Sequence, residues 1–419
     1  MKKYTFRLSI LNILFLTLIT ISANAVEILD KDDAELNLGG RIQSYGVMET
    51  LNDKASDNPR IILFVRDTRL RLDGSQNNIN YELEVMLGGE ADDLINRPNK
   101  GDAASKPITA LLMDAFGEFK LKDNLSLRAG QFKVPYSREN LTEGADLQFT
   151  NRSINHRALN VGRDTGIMLH GSMDNKFGAL AILTGGGINQ RVRYIPVKMG
   201  FPLTALRIGY NTLDADPLEV KEFYPDKEGL AIYANALYVK NTKVGHGSVL
   251  SMRQHGRSFL MSGWNPYLSG AYGEELTQIG ADFAMQKMHN DKLFSVGAEF
   301  NYGTYDGDAG SLSMSAATAR AGLLVNDWLQ LGARYSIFIP DKEIEFLDNQ
   351  GVQVIAPAIT AHFNKNLKLK MDLPIMLDAP LGKEEGLGHY NLIYQPGQTY
   401  LPVERKTAVT GRMILQFAF

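Results

Sequence analysis

The last fifteen residues, 405–419, read RKTAVTGRMILQFAF, and the way their side chains alternate indicates the fold. From Val409 onward one parity holds only apolar residues and glycine: Val409, Gly411, Met413, Leu415, Phe417 and Phe419. The opposite parity includes Lys406 and Arg412. Because successive side chains of a β-strand point to opposite faces, this pattern predicts a strand with one apolar face. A membrane-spanning sheet must close on itself, so it would end on a complete strand like this one.

The same alternation recurs along the chain in stretches of roughly ten residues, as in membrane β-barrels. Glu82 and Glu84 alternate with apolar residues in NINYELEVMLGG (78–89), and Arg334 lies on the polar face of WLQLGARYSIFI (328–339). Short polar connectors alternate with longer ones, except around 205–229, where an expected short turn is stretched. A soluble β-sandwich also alternates. The length of the stretches and their rhythm favour an all-β transmembrane antiparallel barrel of about 16 strands, from about residue 35 to residue 419.

The N-terminus predicts export. Residues 1–25 contain three basic residues, then an apolar run, and end in Ala23-Asn24-Ala25. These are the features of a secretory signal peptide cleaved after Ala25, which would leave residues 26–419 as one barrel domain in the bacterial outer membrane. An uncleaved N-terminal membrane anchor is the alternative. Cleavage would change the formal net charge from −3 to −6, which argues against nucleic acid as a partner. The chain has no cysteine, so the fold uses neither disulfides nor thiolate metal sites.

If the apolar parity faces lipid, the opposite parity lines the interior. The basic residues placed inward by this rule are Arg69, Arg71, Lys120, Arg128, Arg207, Arg320, Arg334, Lys368, Lys370 and Arg412. The acidic residues placed inward are Asp67, Asp73, Glu82, Glu84, Asp114, Glu118, Asp282, Glu299 and Asp372. Charges of both signs on one face predict a water-filled lumen, although most individual residues would be wall residues paired across strands.

The connector 136–162 separates the fifth and sixth predicted strands and is the candidate for narrowing the lumen. We expect it to fold inward as a third external loop, the alternative being a solvated loop outside the barrel. Guanidinium groups bind phosphate and carboxylate oxygens in pairs, and a ring of charge at a narrow point selects ions. The predicted constriction or anion-binding residues are Arg138, Arg152, Arg157 and Arg163. Four acidic residues balance them locally, namely Glu139, Glu143, Asp146 and Asp164.

Several motifs in this region resemble one family, the phosphate- and polyphosphate-selective porins known as porin O and P. The similar elements are GQFKVP (130–135), Arg138-Glu139, Arg152-Ser153 and GRDTG (162–166), with TRLRLDGSQNNINYELEV (68–85) resembling that family's second hairpin. The resemblance covers about residues 61–186. It implies a trimeric outer-membrane channel of 16 strands with an inward third loop, through which anions diffuse, with inorganic phosphate the best-known solute. The inward charges of this chain are mixed in sign, so a general porin and a phosphate channel both remain open.

Other functions are less well supported by the sequence. His246 and Ser248 lie two residues apart in a predicted loop without a third partner, so we expect no enzyme activity, no catalytic residue and no cofactor. Asp306 and Asp308 fall in a segment too short for a full calcium loop, and no metal site is expected. The main alternative is an adhesin or receptor that acts through the long connectors 240–274 and 378–404. For the channel, the expected partners are outer-membrane lipid and small hydrophilic solutes.

Overall fold

The computed structural model describes the chain in ten segments. These are residues 26–31, 34–50, 60–87, 110–159, 161–185, 201–240, 275–307, 310–341, 351–381 and 404–419. The predicted signal peptide, residue 160 and most of the long connectors of one barrel end lie outside the described residues. Within the described residues, no helix has the length and apolarity needed to cross a membrane.

Nearly all of the regular structure is β-strand. The strands are β1 (Val26–Lys31), β2 (Ala34–Thr50), β3 (Arg60–Gln76), β4 (Ile79–Leu87), β5 (Ala110–Lys122), β6 (Leu125–Lys133), β7 (Arg163–Met173), β8 (Lys176–Leu183), β9 (Phe201–Asn211), β10 (Gly229–Lys240), β11 (Glu275–His289), β12 (Lys292–Gly307), β13 (Gly310–Asn326), β14 (Leu329–Pro340), β15 (Val352–His362), β16 (Leu367–Asp372), β17 (Ile375–Leu381) and β18 (Glu404–Ala418). Two short helices, α1 (Arg138–Leu141) and α2 (Ile154–Leu159), lie between β6 and β7.

The strands form a closed antiparallel barrel with 16 strand positions, which confirms the predicted fold class. Each strand from β2 to β15 pairs with its neighbours in sequence. The next strand position is occupied by β16 and β17 in succession. Both of them pair with β15 on one side and with β18 on the other. The division falls at Leu373-Pro374, because proline has no N–H to donate to a strand ladder.

The C-terminal strand closes the barrel, as the opening stretch predicts. Strand β18 pairs with β2 from Val409 opposite Thr50 to Ala418 opposite Arg41. The terminal Phe419 exchanges two backbone hydrogen bonds of 2.9 Å with Gly40. Beyond that point the edge of β2 is covered by β1, where Val26 is opposite Leu38. Between residues 34 and 50 the seam edge of β2 is therefore almost fully paired, and free strand edges invite pairing with other chains.

Side-chain exposure confirms the two-faced strands. In β18, Met413 is 41% exposed, whereas its neighbours Arg412 and Ile414 are 3% and 1% exposed. In β4, Leu83 is 42% exposed and Glu84 only 4%. A soluble protein would bury its apolar residues, so an apolar outer surface and a polar interior are what a barrel in lipid requires.

The two ends of the barrel differ. One end carries the short connectors, and we call it the turn end. Its tight turns place Asn77, Asp174, Asn175, Asn290 and Asp291 at positive φ, a conformation that asparagine and aspartate adopt more readily than other non-glycine residues. The exception is the connector between β9 and β10, residues 212–228, which we call the long turn. Its length of 17 residues breaks the rule of short turns at this end.

Candidate functional site

The segment between β6 and β7, residues 134–162, is the third loop, and its first helix is anchored on the barrel wall. Ser137 precedes α1 with φ of +65°, an uncommon conformation for a residue with a side chain. Its hydroxyl donates to Glu299 Oε1 at 2.6 Å, and the N–H of Glu139 donates to Glu299 Oε2 at 3.0 Å. The Glu299 carboxylate of β12 thus holds the first residues of the third loop, just after β6, against the barrel wall.

The third loop also reaches strands on several other sides of the barrel. Its side-chain hydrogen bonds to the wall are Asn151 to Tyr45 of β2 (3.0 Å), Gln148 to Ser295 of β12 (2.9 Å), Asn155 to Thr318 of β13 (2.7 Å) and Thr150 to Asp372 of β16 (2.9 Å). The guanidinium of Arg334 in β14 lies 4.3 Å from the centre of the Phe149 ring. All of these wall residues belong to the inward parity.

The long turn meets the third loop and the wall. Arg138 of α1 binds Asp214 through two hydrogen bonds, 2.8 Å from Nη1 and 2.5 Å from Nη2, and neither side chain has any exposed surface. Glu222 accepts from the N–H of Gln148 at 2.7 Å and lies 3.6 Å from Arg320 of β13. Two segments of the chain, one from each end of the barrel, are therefore joined by buried charge pairs and hydrogen bonds.

The structure gives the predicted arginines different surroundings. Arg138 is paired with Asp214, as described above. Arg152 donates to the carbonyls of Glu139 and Thr142 at 3.0 and 2.5 Å, so it holds the loop together. Arg163 binds Asp114 at 2.6 Å and Glu143 at 3.3 Å. Arg157 lies in α2, and its side chain is outside the described residues.

Glu143 is the centre of a charged cluster that the sequence did not single out. Four cationic side chains bind its carboxylate: Arg41 at 3.0 Å, Arg69 at 3.2 Å, Arg163 at 3.3 Å and Lys133 through a short contact. Burial raises the pKa of Glu143, but these four cations outweigh burial and hold its pKa well below the usual range. Three further carboxylates bind the same cations, namely Asp67, Glu84 and Asp114. The cluster around Glu143 therefore balances four positive charges with four negative ones.

Most of the predicted basic wall residues have acidic partners. The pairs are Arg69 with Asp67 and Glu84, Arg71 with Asp73, Glu82 and Glu219, Arg128 with Glu118, Arg207 with Asp282, Arg320 with Glu222, Arg334 with Glu139 and Arg412 with Asp372. Pairing of this kind reduces the net positive field that an anion in the lumen would experience.

Two lysines of β16 differ from these arginines. Lys370 is 1% exposed and donates to three carbonyls of the third loop, at 2.8 Å to Ala145, 2.7 Å to Leu147 and 3.4 Å to Gly144. Lys368 is partly exposed. Within the described segments, neither lysine forms an ion pair with a carboxylate. Among the described residues of the predicted basic lining, Lys120, Lys368 and Lys370 are those without a carboxylate partner.

Asp372 joins the closing strands to the third loop. Its carboxylate accepts two hydrogen bonds from Arg412, at 2.6 and 2.7 Å, and further ones from the N–H and hydroxyl of Thr150 at 2.9 Å. Replacing Asp372 with alanine would remove the carboxylate that binds the buried guanidinium of Arg412. We expect this to lower the free energy of unfolding by about 3–5 kcal/mol, measured by urea unfolding in detergent micelles.

The matched control is Asp341→Ala, which removes an exposed carboxylate that accepts from the N–H of Ser313. This change should cost no more than about 1 kcal/mol, as surface substitutions commonly do. Equal losses for the two variants would contradict the role given to the Asp372–Arg412 pair.

One group of acidic residues has the spacing of metal ligands. Carboxylate oxygens of Glu82, Glu84 and Asp114 lie within 4.8 Å of one another. Each carboxylate is already bound by an arginine, Arg71, Arg69 and Arg163 respectively. The donor set is thus satisfied by guanidinium groups, and the arrangement is a charge network of the wall rather than a vacant metal site.

Sequence reasoning missed the long turn as a part of the site. The available signal was the stretch LDADPLEVKEFYPDKE (213–228), which places six acidic residues and two lysines where a short turn is expected. Its alternation of buried Leu218 and Val220 with more exposed Glu219 and Lys221 is the pattern of a segment with one packed face. Nothing in that pattern identifies Arg138 as the partner of Asp214, because the two residues are distant in sequence.

Solved structures share this fold. An anion-selective porin from Comamonas acidovorans has a TM-score of 0.56 and 11% identity, covering 92% of this chain and 100% of that one. OmpF from Salmonella typhi, in complex with daunomycin, has a TM-score of 0.54 and 12% identity, covering 94% and 100%. The outer-membrane channel DcaP of Acinetobacter baumannii has a TM-score of 0.53 and 12% identity, covering 94% and 99%. At these identities the likeness shows the fold alone.

The closed barrel and its two-faced strands give this chain the fold of known outer-membrane porins. The family model of the phosphate-selective porins O and P matches residues 36–193. The match includes the third loop and confirms the resemblance seen in the motifs. No curated protein matches the chain.

Proposed function

We propose that this protein forms a water-filled channel in the outer membrane, through which small hydrophilic solutes and ions diffuse passively. The observation that carries the proposal is the closed 16-stranded barrel with charged side chains of both signs on its inner face. Strands in lipid need an apolar exterior, and a polar, charged inner face is typical of barrels that enclose a water-filled channel. The fold and the family match support a channel rather than an enzyme.

We propose further that the third loop is the constriction. Its hydrogen bonds to β2, β12, β13 and β16 support this placement, because these strands lie on different sides of the barrel. A segment that contacts all of them has to cross the interior. The lysine ammonium of Lys370, bound to three loop carbonyls, would hold the crossing segment at β16.

For selectivity we propose a weak preference for anions, with inorganic phosphate among the solutes. The family match supports this preference. We expect the preference for anions to be weak, because a charge-balanced lining discriminates little between ions. Acidic residues bind Arg138, Arg163 and most wall arginines. Arg138, Arg152, Arg157 and Arg163 stay a predicted site whose role in anion binding is part of this proposal.

The mature protein is proposed to be a homotrimer, exported by a signal peptide ending at Ala25. A trimeric form is among the structures of similar fold, that of OmpT of Vibrio cholerae, with a TM-score of 0.51, 12% identity and coverage of 93% and 100%. The adhesin alternative depends on connectors that fall almost entirely outside the described residues.

Conductance in planar lipid bilayers tests the channel. Purified protein is expected to produce discrete current steps. Its reversal potential in a potassium chloride gradient is expected to have the sign and the small size of a weak preference for chloride over potassium. Added phosphate should reduce the chloride current. Absence of steps from correctly folded protein would contradict the channel, and a reversal potential on the cation side would contradict the selectivity.

A further inference from the structure

Most charged side chains inside the barrel are covered. The side chains of the pairs Arg207–Asp282 and Arg412–Asp372 have no exposed surface at all. The third loop and the long turn therefore fill much of the interior, and solutes need a way past them. The charged side chains that do remain exposed identify where water reaches the interior.

Five charged side chains near the turn end stand out by their exposure. They are Arg71 (35%), Asp73 (39%), Glu219 (32%), Asp146 (28%) and Lys221 (49%). Arg71 lies 3.4 Å from Glu219, and Lys221 lies 3.9 Å from Asp146. They belong to β3, the third loop and the long turn, so three separate elements present water-exposed charges to the same region.

The face of the long turn that does not carry Glu219 and Lys221 is buried. Leu218 and Val220 are 3% and 1% exposed and alternate with Glu219 and Lys221. Glu222 continues the buried face, where it contacts Arg320 of β13, and the N–H of Tyr224 donates to Gln286 of β11 at 2.8 Å. The long turn thus packs against the β11–β13 side of the wall and directs its exposed charges toward β3.

We propose that the permeation path is off-centre and leaves the barrel at the turn end between β3 and the long turn. Its charged lining is Arg71, Asp73, Asp146, Glu219 and Lys221. This inference rests on the proposed channel function. Two cations and three anions line this part of the path, so each side chain influences ion flow without giving a large net field. Charges in a narrow water-filled passage affect ion permeation strongly, because little bulk water screens them.

Cysteine accessibility provides the test, since the chain has no cysteine of its own. The variants Glu219→Cys and Lys221→Cys are inserted into planar bilayers and exposed to methanethiosulfonate reagents carrying a sulfonate or a trimethylammonium group. Both reagents should lower the single-channel conductance. The bulkier trimethylammonium group should lower it by at least about twofold. The two reagents should move the reversal potential in opposite directions. Matched controls are Leu218→Cys and Val220→Cys, neighbours whose side chains are buried.

The possible results separate the path from the channel. Modification that changes the current at residues 219 and 221 but not at 218 and 220 supports the path. Current that is unchanged after complete labelling of Glu219→Cys, verified by mass spectrometry, overturns the path while leaving the channel intact. Failure of the reagents to label residues 219 and 221 in open channels also overturns it. Absence of current steps from the unmodified parent protein overturns both proposals.

Discussion

The Glu143→Gln variant is expected to be markedly more anion-selective than the parent channel. Glu143 supplies one of four carboxylates that balance the four cations of its cluster, so its neutralisation leaves a net charge of about +1 beside the proposed constriction. A unit charge at about 8 Å from an ion contributes roughly 0.5–2 kcal/mol for dielectric constants between 80 and 20. Chloride permeability should therefore rise, and potassium permeability should fall, each by roughly two- to thirtyfold.

Lys133 makes this site sensitive to oxyanions. Its other described contact is the carbonyl of Leu141 at 3.0 Å, so loss of the Glu143 carboxylate leaves its ammonium without a counter-ion. We expect phosphate to inhibit the chloride current of Glu143→Gln at lower concentration than in the parent. In this interpretation Glu143 occupies the position that a solute anion would otherwise take among the cations.

The measurement is the reversal potential in a potassium chloride gradient, followed by phosphate titration at fixed voltage. Glu228→Gln is the matched control, because it removes the same charge from an exposed position at the end of the long turn. If Glu143→Gln shifted the reversal potential no more than Glu228→Gln does, the cluster would not lie beside the path of the ions.

The second large effect is expected from Asp214→Ala, which removes the fully buried partner of Arg138. Tyr224 and Tyr233 also donate to this carboxylate, at 3.0 and 3.3 Å. Loss of one member of a buried ion pair costs about 3–5 kcal/mol, because the remaining charge stays without compensation. The barrel wall has its own continuous ladder of hydrogen bonds, so we expect the cost to appear as separation of the third loop from the long turn.

Single-channel recording and limited proteolysis measure this separation. Asp214→Ala channels should have higher and noisier conductance, and a protease should cleave the third loop or the long turn while the barrel remains resistant. Asp216→Ala is the control on the same turn; its exposed carboxylate accepts only locally, from the N–H of Leu218 at 2.7 Å.

A double variant tests the origin of the effect. Arg138→Met combined with Asp214→Leu removes both charges, and replacement of a buried pair by apolar residues is often neutral. Recovery of quiet conductance in the double variant would assign the defect of Asp214→Ala to the uncompensated arginine. A defect as large as that of the single variant would instead mean that shape, not charge, joins the two segments.

These expectations depend on contacts that differ in how far the sequence could anticipate them. The inward placement of Arg69, Arg412 and Glu84 followed from alternation alone, because parity determines which face a strand residue occupies. Their partners were partly predictable, since cross-strand neighbours are close in a known register. Glu143 and Asp214 were not predictable in this way, because they lie in connectors, where no period relates position to direction.

The sequence by itself determined the architecture of this protein. Alternating strands, short turns and the apolar C-terminal strand 405–419 are repeated local signals, and lipid leaves a spanning sheet no option except closure. Only the tertiary structure decided how the interior is arranged: that Glu143 collects four cations, that Asp214 binds Arg138, and that the long turn packs on one side of the wall. The reason is physical, since strand faces follow from backbone geometry residue by residue, whereas these pairings join residues distant in sequence and exist only once the barrel has closed around them.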